Sequence, residues 1–226
     1  MKALLSEIRK KIRTRDNGPA VDSMKRLGIE YKTNHGLSIA EIKAIANQYL
    51  NHHELALELW EWDHREFKIL ATFIDDPQKT SIDQLNYWIK DVSNNELAEQ
   101  LAINLVFRLP NAFQIVQDWL KNGSLYAKKT ALTSLAWLAQ RKPDLSDATL
   151  FQTIKLAFSV EKSEITIIKS LSFALRAVGK RNEYLNRKTI EIIKAIPDGD
   201  YGAKYIKEEC LWELESDIIQ ERLKRL

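Results

Sequence analysis

The sequence is poor in the residues that build disulfide-bonded, zinc-bound or glycine-loop proteins. Its 226 residues include one Cys, seven Gly and five Pro. One Cys excludes an intramolecular disulfide framework and a multi-cysteine zinc site. Low Gly and Pro contents argue against all-β folds and against enzymes built on glycine-rich loops. No apolar run reaches about 18 residues, the length of a membrane-spanning helix, so we expect no membrane partner.

Familiar catalytic motifs are missing as well. The sequence contains no P-loop, GxGxxG, HExxH or GxSxG pattern. His52 and His53 are adjacent, so on a helix they point about 100° apart and suit one metal ion poorly. Cys210 has the setting of a helix core residue, and Trp60 and Trp62, at a helix junction, are expected to be structural. We therefore expect no metal and no other cofactor.

The N-terminal segment gives an expectation about location. It reads MKALLSEIRKKIRTRD, which alternates charge with Leu and Ile and lacks an apolar signal-peptide core. The pattern is typical of a surface helix. We expect a monomeric cytoplasmic protein, associated with the nucleoid if the source is bacterial.

Helical periodicity runs through the whole chain and indicates an all-α protein. From the middle onward the helices recur in pairs, and the second helices open near residues 63, 95, 125, 164 and 202. Those spacings of roughly 30–40 residues are typical of HEAT or armadillo repeats. The sequence therefore predicts an α-solenoid of HEAT-like antiparallel helix pairs with a concave basic groove. We expect one domain over 1–226, with N-terminal helices in 1–50 and repeat pairs in 51–226; an irregular helical bundle is the alternative.

The charge is unevenly distributed behind a formal net charge of +3. Residues 1–40 carry a net charge of +5, residues 41–110 a net charge of −6, and residues 121–194 a net charge of +8. A basic block can attract nucleic-acid phosphates, although lysines and arginines also simply solvate helix faces.

Two predicted helices place aromatic and basic side chains together, away from their apolar faces. On the helix over 164–181 this set is Lys169, Phe173, Arg176 and Lys180, and on the helix over 125–141 it is Tyr126, Lys129, Thr133, Trp137 and Gln140. Cations can hold phosphates while aromatic rings contact sugars or bases. Packing against a neighbouring helix layer is the alternative for the aromatic residues. The helix over 95–108 instead has a polar arc that includes Asn95 and Glu99.

Five stretches together resemble a known family. They are HGLSIAEIKAIANQY at 35–49, LWEWDHREFKILATFI at 59–74, SNNELAEQLAINL at 93–105, YAKKTAL at 126–132 and IIKSLSFALRAVGKRN at 167–182. The chain resembles the AlkD-type DNA alkylation-repair family of HEAT-like solenoids from about residue 20 to 195.

The resemblance implies a chemistry and a set of site residues. Active members are similar to monofunctional DNA glycosylases that release N3- and N7-alkylated purines, using a carboxylate to stabilise an oxocarbenium-like transition state. By this resemblance Glu99 stands at the catalytic Asp position and Asn95 at a sugar-contacting Trp position. Lys129 stands at the phosphate-holding Arg position and Phe173 at a second sugar-contacting Trp position. All four residues differ from the family's own.

Three functional hypotheses follow from these observations. The first is a DNA-binding protein of alkylation repair, with or without glycosylase activity through Glu99. It would hold duplex DNA, damaged or distorted, with Lys128, Lys129, Lys169, Arg176, Lys180 and Arg181, and contact it with Asn95, Tyr126, Trp137 and Phe173. The second is a non-catalytic binder of branched or distorted DNA, and the third is a protein-interaction scaffold.

Overall fold

The computed structural model of the protein describes residues 1–160, 164–197, 199 and 201–225. Within these residues the chain is helical, and its only β-type pairing is one bridge between Thr33 and His64. This confirms the predicted all-α class. No helix in the described ranges has the length and apolar character needed to cross a membrane. The helices group into two compact units, Met1–Pro110 and Asn111–Leu226; the single domain over 1–226 stays a prediction.

The first unit is organised around one helix. Its elements are α1 (Lys2–Arg13), α2 (Gly18–Arg26), α3 (Ile39–Ala46), α4 (His53–Trp60), α5 (Arg65–Ile74), α6 (Ile82–Asp91), α7 (Asn95–Asn104) and a 3₁₀ helix (Val106–Arg108). Helices α3, α4 and α7 all pack against α5. Nine of the ten α5 residues are buried. Its charged side chains therefore need partners inside the unit.

The second unit consists of helix pairs in two layers. Its helices are α8 (Ala112–Asn122), α9 (Leu125–Arg141), α10 (Asp147–Phe158), α11 (Ile165–Gly179), α12 (Glu183–Lys194), α13 (Tyr201–Leu214) and α14 (Asp217–Leu223). Helices α9, α11 and α13 pack side by side in one layer, and α8, α10 and α12 form the other. Each helix of the second layer also packs against the next helix in the chain. This is the predicted stack of antiparallel helix pairs.

The second helices of the pairs begin close to the positions that the sequence predicts. The second helices begin at residues 65, 95, 125, 165 and 201, within two residues of the predicted positions. Ser38 and Glu41 form the predicted capping box of α3, in which each side chain bonds the other's main-chain N–H. The helix predicted over 95–108 is shorter than expected, because Leu105 leaves the helical region with φ −125°.

A buried arginine ties α5 to two other segments. The guanidinium of Arg65 donates to both carboxylate oxygens of Glu96, at 2.8 and 2.6 Å, and to the main-chain oxygen of Leu37 at 2.8 Å. It also donates to Glu66, whose carboxylate accepts the main-chain N–H groups of His35 and Leu37. The network fixes both α7 and the loop before α3 on the N-terminal end of α5.

The loop before α3 depends on one glycine. Gly36 has φ +72°, and a Cβ there would lie 2.3 Å from the main-chain oxygen of Asn17. The main-chain N–H of Asn17 also donates to the oxygen of His35 at 2.8 Å. The loop and the start of α2 therefore approach closely, and a side chain at residue 36 would push them apart.

Gly36→Ala should destabilise the protein more than Gly28→Ala does. Gly28 also has a positive φ, +75°, but nothing lies within 4 Å of its Cβ position. Gly28→Ala should therefore cost only the left-handed backbone penalty, about 1–2 kcal/mol. Gly36→Ala adds a collision with main-chain atoms, a further cost of about 1–3 kcal/mol. Urea unfolding of the two variants measures both losses of stability. Equal midpoints would contradict the close approach of residue 36 to the main chain of Asn17.

A second buried group in this region is the His64 imidazole. Its Nδ1 has no hydrogen-bond partner among the described residues. The Glu66 carboxylate lies 3.4 Å away, but it already accepts hydrogen bonds from main-chain N–H groups and a guanidinium. Burial, followed by the charges of His35 and then of Arg9 and Arg13, lowers the pKa of His64 to about 3. The folded protein therefore holds this imidazole neutral.

Stability should fall as the pH drops below 6.5. The unfolded imidazole titrates near its ordinary pKa of 6.5, so between pH 3 and 6.5 only the unfolded chain binds the proton. The contribution of His64 is therefore complete above pH 6.5 and lost toward pH 3, at up to about 1.4 kcal/mol per pH unit. His64→Gln should show a shallower fall in the free energy of unfolding between pH 6.5 and 4.5. Parallel curves for the two proteins would contradict a neutral buried His64.

Candidate nucleic-acid interface

The candidate catalytic carboxylate lies in the first unit, on α7. Asn94 caps this helix, and its first turn exposes Asn95, with Glu99 one turn later and also exposed. The rest of the predicted polar arc turns inward. Gln100 and Asn104 are buried, and the amide of Asn104 donates to the Gln100 carbonyl oxygen at 3.0 Å. The accessible polar surface of α7 is thus narrower than the sequence indicates.

The first turns of α9, in the second unit, hold three predicted DNA contacts. Tyr126 and Lys128 are half-buried, whereas Lys129 is buried. The Lys129 ammonium lies 3.4 Å from the hydroxyl oxygen of Ser170 on α11. Lys129 was expected to hold a phosphate at the surface; the structure places it instead between two packed helices.

The predicted stripe on α11 divides into two parts. Lys169 is exposed, and Phe173 keeps 36% of its surface exposed. Arg176 and Lys180 both donate to the Glu213 carboxylate of α13. Partial burial alone would raise the pKa of Glu213, but the hydrogen bonds and charges of these two cations lower it overall. The N-terminal part of the stripe thus faces solvent, and the C-terminal part joins α11 to α13.

Arg181 has a structural role that the sequence did not indicate. Its guanidinium donates to four main-chain oxygens, at 2.7–3.0 Å, from the residues at and after the end of α9: Ala139, Lys142, Pro143 and Leu145. These bonds satisfy carbonyl groups that a helix end leaves open. Arg181 was expected to bind DNA; its donors instead fix the α9–α10 connection, and its Nε lies 3.9 Å from the Asp147 carboxylate.

A cavity of about 460 Å³ adjoins Arg181 in the second unit. Four cations line it, together with small and uncharged residues: Arg141, Lys180, Arg181 and Arg222, then Ala139, Gln140, Pro143 and Ala177. No carboxylate is among these described lining residues. We call this the four-cation cavity. Half of its cations, Lys180 and Arg181, were predicted DNA contacts.

The other two cations, Arg141 and Arg222, were not among the predicted contacts. Arg141 follows Trp137 by one turn, and its guanidinium lies 5.6 Å from the Trp137 ring centroid. That spacing was a usable signal, because it puts Arg141 on the same side of α9 as the predicted contacts. Arg222, on α14, has no local signal, since only the packing of the chain end brings it to the cavity.

The predicted site residues are therefore divided between the two units. Asn95 and Glu99 belong to the first unit, and the other nine belong to the second. The charged groups of the second unit suit phosphate binding, because cations at a surface attract the backbone without regard to sequence. Within the described ranges, no three His, Cys, Asp or Glu side chains form a group that could hold a metal ion.

Comparisons with known proteins give a family and a fold. A family model described as "DNA alkylation repair enzyme" matches residues 8–197. Among solved structures, the chain is similar to one described as "A new family of proteins related to the HEAT-like repeat DNA glycosylases with affinity for branched DNA structures". That similarity has a TM-score of 0.77 at 17% identity and covers 96% of this chain and 95% of the other. It confirms the predicted HEAT-like fold.

No curated protein matches the sequence. The family model nevertheless spans most of the chain, from the middle of α1 to the end of the α12 segment. The chain belongs to the DNA alkylation repair enzyme family.

Proposed function

We propose that the protein binds DNA through the side of α9, α11 and α14 that carries the four-cation cavity. The observation that carries this proposal is the absence of any carboxylate among the described residues lining the cavity. A phosphate bound there would supply a negative charge that the described lining residues lack. Release of counterions from DNA would add to the binding free energy.

Two of the four cations, Arg141 and Arg222, have hydrogen-bond donors available for a phosphate. Lys180 donates to Glu213, and Arg181 donates to main-chain oxygens and lies 3.9 Å from the Asp147 carboxylate. The described residues place no carboxylate within salt-bridge distance of Arg141 or Arg222, both of which are exposed. An exposed guanidinium can bind phosphate through two parallel hydrogen bonds. Arg141 and Arg222 are therefore the proposed phosphate ligands.

Two aromatic side chains that are at least partly accessible on this side favour recognition of distorted DNA. Phe173 and the half-buried Trp137 lie outside the apolar core of their helices. Rings at a cationic surface can pack on sugars or on bases that have lost their stacking partners. The similar solved structure is described as belonging to proteins with affinity for branched DNA. We propose that this protein, too, prefers branched or distorted duplexes to intact ones.

Arg222→Gln should weaken DNA binding through the loss of a phosphate contact. The affinity should fall similarly for all DNA sequences, and the slope of log K against log salt should decrease by about 1. Arg187→Gln is the matched control, since it removes the same charge from an exposed site on α12. Fluorescence anisotropy with a branched DNA junction measures both variants. Equal affinities and slopes for the two variants would contradict a role for the cavity.

A second candidate function is base excision, and Glu99 is the observation that favours it. Its exposed carboxylate could stabilise a cationic sugar in the transition state. Against this, Asn95 offers no ring at the position where the family has a sugar-contacting Trp. Glu99 also reaches one methylene further than Asp, and a displacement of about 1 Å can cost about a hundredfold in rate.

We expect the protein to release alkylated purines no faster than its Glu99→Gln variant. The reason is that the site lacks a ring at Asn95 and places the Glu99 carboxylate one methylene too far; Gln keeps the shape of Glu99 and removes only its charge, so it isolates any contribution of that charge. Release of 3- and 7-methylpurines from alkylated DNA measures the activity, and junction binding confirms that the variant is folded. Faster release by the unaltered protein would establish the glycosylase function instead.

A further inference from the structure

The first unit also has a basic cleft, formed by residues that lie outside α7, α9 and α11. It has a volume of about 700 Å³ and lies between α1 and the end of α4. Its lining consists of seven α1-side residues and two from the α4 side: Lys2, Leu5, Ser6, Arg9, Lys10, Arg13 and Thr14, then Glu58 and Trp62. We call it the α1 cleft.

Positive charge dominates the α1 cleft. Four cations, Lys2, Arg9, Lys10 and Arg13, face one carboxylate, Glu58. Among the described residues, none of the four cations has a carboxylate within salt-bridge distance. The cations follow one side of α1 over about 16 Å at 1.5 Å per residue. They therefore form an elongated row rather than a single anion site.

The cleft also presents an aromatic ring. Both Trp60 and Trp62 were expected to be structural, and Trp60 is: it is fully buried and stacks on Trp88 at 4.1 Å between ring centroids. Trp62 instead keeps 42% of its surface exposed inside the cleft. The Arg9 guanidinium lies 4.3 Å from its ring centroid. A cation–π contact of this kind holds the ring in place at the surface.

A row of cations beside an exposed ring suits one class of ligand. Single-stranded nucleic acid offers phosphates at regular intervals and bases whose faces are open to stacking. A paired base in a duplex has no open face, so it could not stack on Trp62. A protein surface of acidic residues would satisfy the cations and leave the ring unused.

We propose that the α1 cleft binds a single nucleic-acid strand, with phosphates on Lys2, Lys10 and Arg13 and a base on Trp62. This proposal rests on the cleft alone and does not depend on the four-cation cavity. It gives the protein a second nucleic-acid site, suited to the unpaired strand that a frayed or branched DNA carries.

The charge requirement is tested by Lys10→Gln/Arg13→Gln in the full-length protein. The probe is a labelled oligothymidylate of about eight nucleotides, followed by fluorescence anisotropy. Loss of two phosphate contacts should lower the slope of log K against log salt by about 1.4 for a single strand. The matched control is Lys43→Gln/Lys90→Gln, which removes two exposed lysines from the last turns of α3 and α6.

The aromatic requirement is tested by Trp62→Ala. Loss of one stacked base should weaken oligothymidylate binding roughly tenfold, while binding of an abasic oligomer of equal length should stay unchanged. Trp62→Phe, which keeps a ring, should restore most of the affinity. An equal loss for both oligomers would show that Trp62 only supports the cleft, and would overturn its proposed contact with a base.

Two further experiments distinguish a nucleic-acid strand from a small anion, and the α1 cleft from the four-cation cavity. Thymidine monophosphate or inorganic phosphate that displaces the oligomer at a comparable concentration would overturn the strand in favour of a small anion. Arg222→Gln should weaken oligothymidylate binding much less than the cleft variants do. If it weakens that binding as the cleft variants should, the strand binds at the four-cation cavity and not at α1. Equal behaviour of the cleft and control variants would overturn the proposal outright.

Discussion

Charged side chains that are buried between the helix layers must be paired inside the protein, and this constraint shapes the rest of the structure. Helix α5 is buried along nearly its whole length, yet it contains Arg65, Glu66 and Lys68. Each is bonded: Arg65 to Glu96, and Lys68 to the Asp91 carboxylate and a main-chain oxygen, both at 2.9 Å. Removing one partner of a buried pair costs about 3–5 kcal/mol, because the other charge remains without compensation.

The same constraint decides which cations of the second unit can act on a ligand. Its layer of α9, α11 and α13 uses several of them internally: Lys129, Arg176, Lys180 and Arg181. The proposed DNA contacts are a smaller set at the ends of the helices, with Arg141 and Arg222 at its centre. In this proposal, DNA binding depends on helix ends and the connections between them rather than on a continuous basic stripe.

The sequence predicted the helices better than the site, for a physical reason. Helix starts are local, since a cap such as Ser38 and its partner Glu41 lie three residues apart. The fate of a cation is not local: Arg176 meets a carboxylate 37 residues away, and Lys129 meets a hydroxyl 41 residues away. Periodicity shows which side of a helix is polar, but only the neighbouring helix decides whether that side is covered. Trp62 shows the reverse case: it was expected to be structural, yet 42% of its surface is exposed.

We propose that this member of the DNA alkylation repair enzyme family recognises DNA structure through phosphate contacts. The most direct test is the anisotropy of the protein with an intact duplex, an abasic-analogue duplex and a branched junction, at about 0.05 M and about 0.15 M salt. We predict tightest binding to the junction, with a steep loss of affinity at the higher salt. Equal affinity for the intact duplex and the junction, or no binding to any DNA at either salt, would show that the protein does not recognise DNA structure.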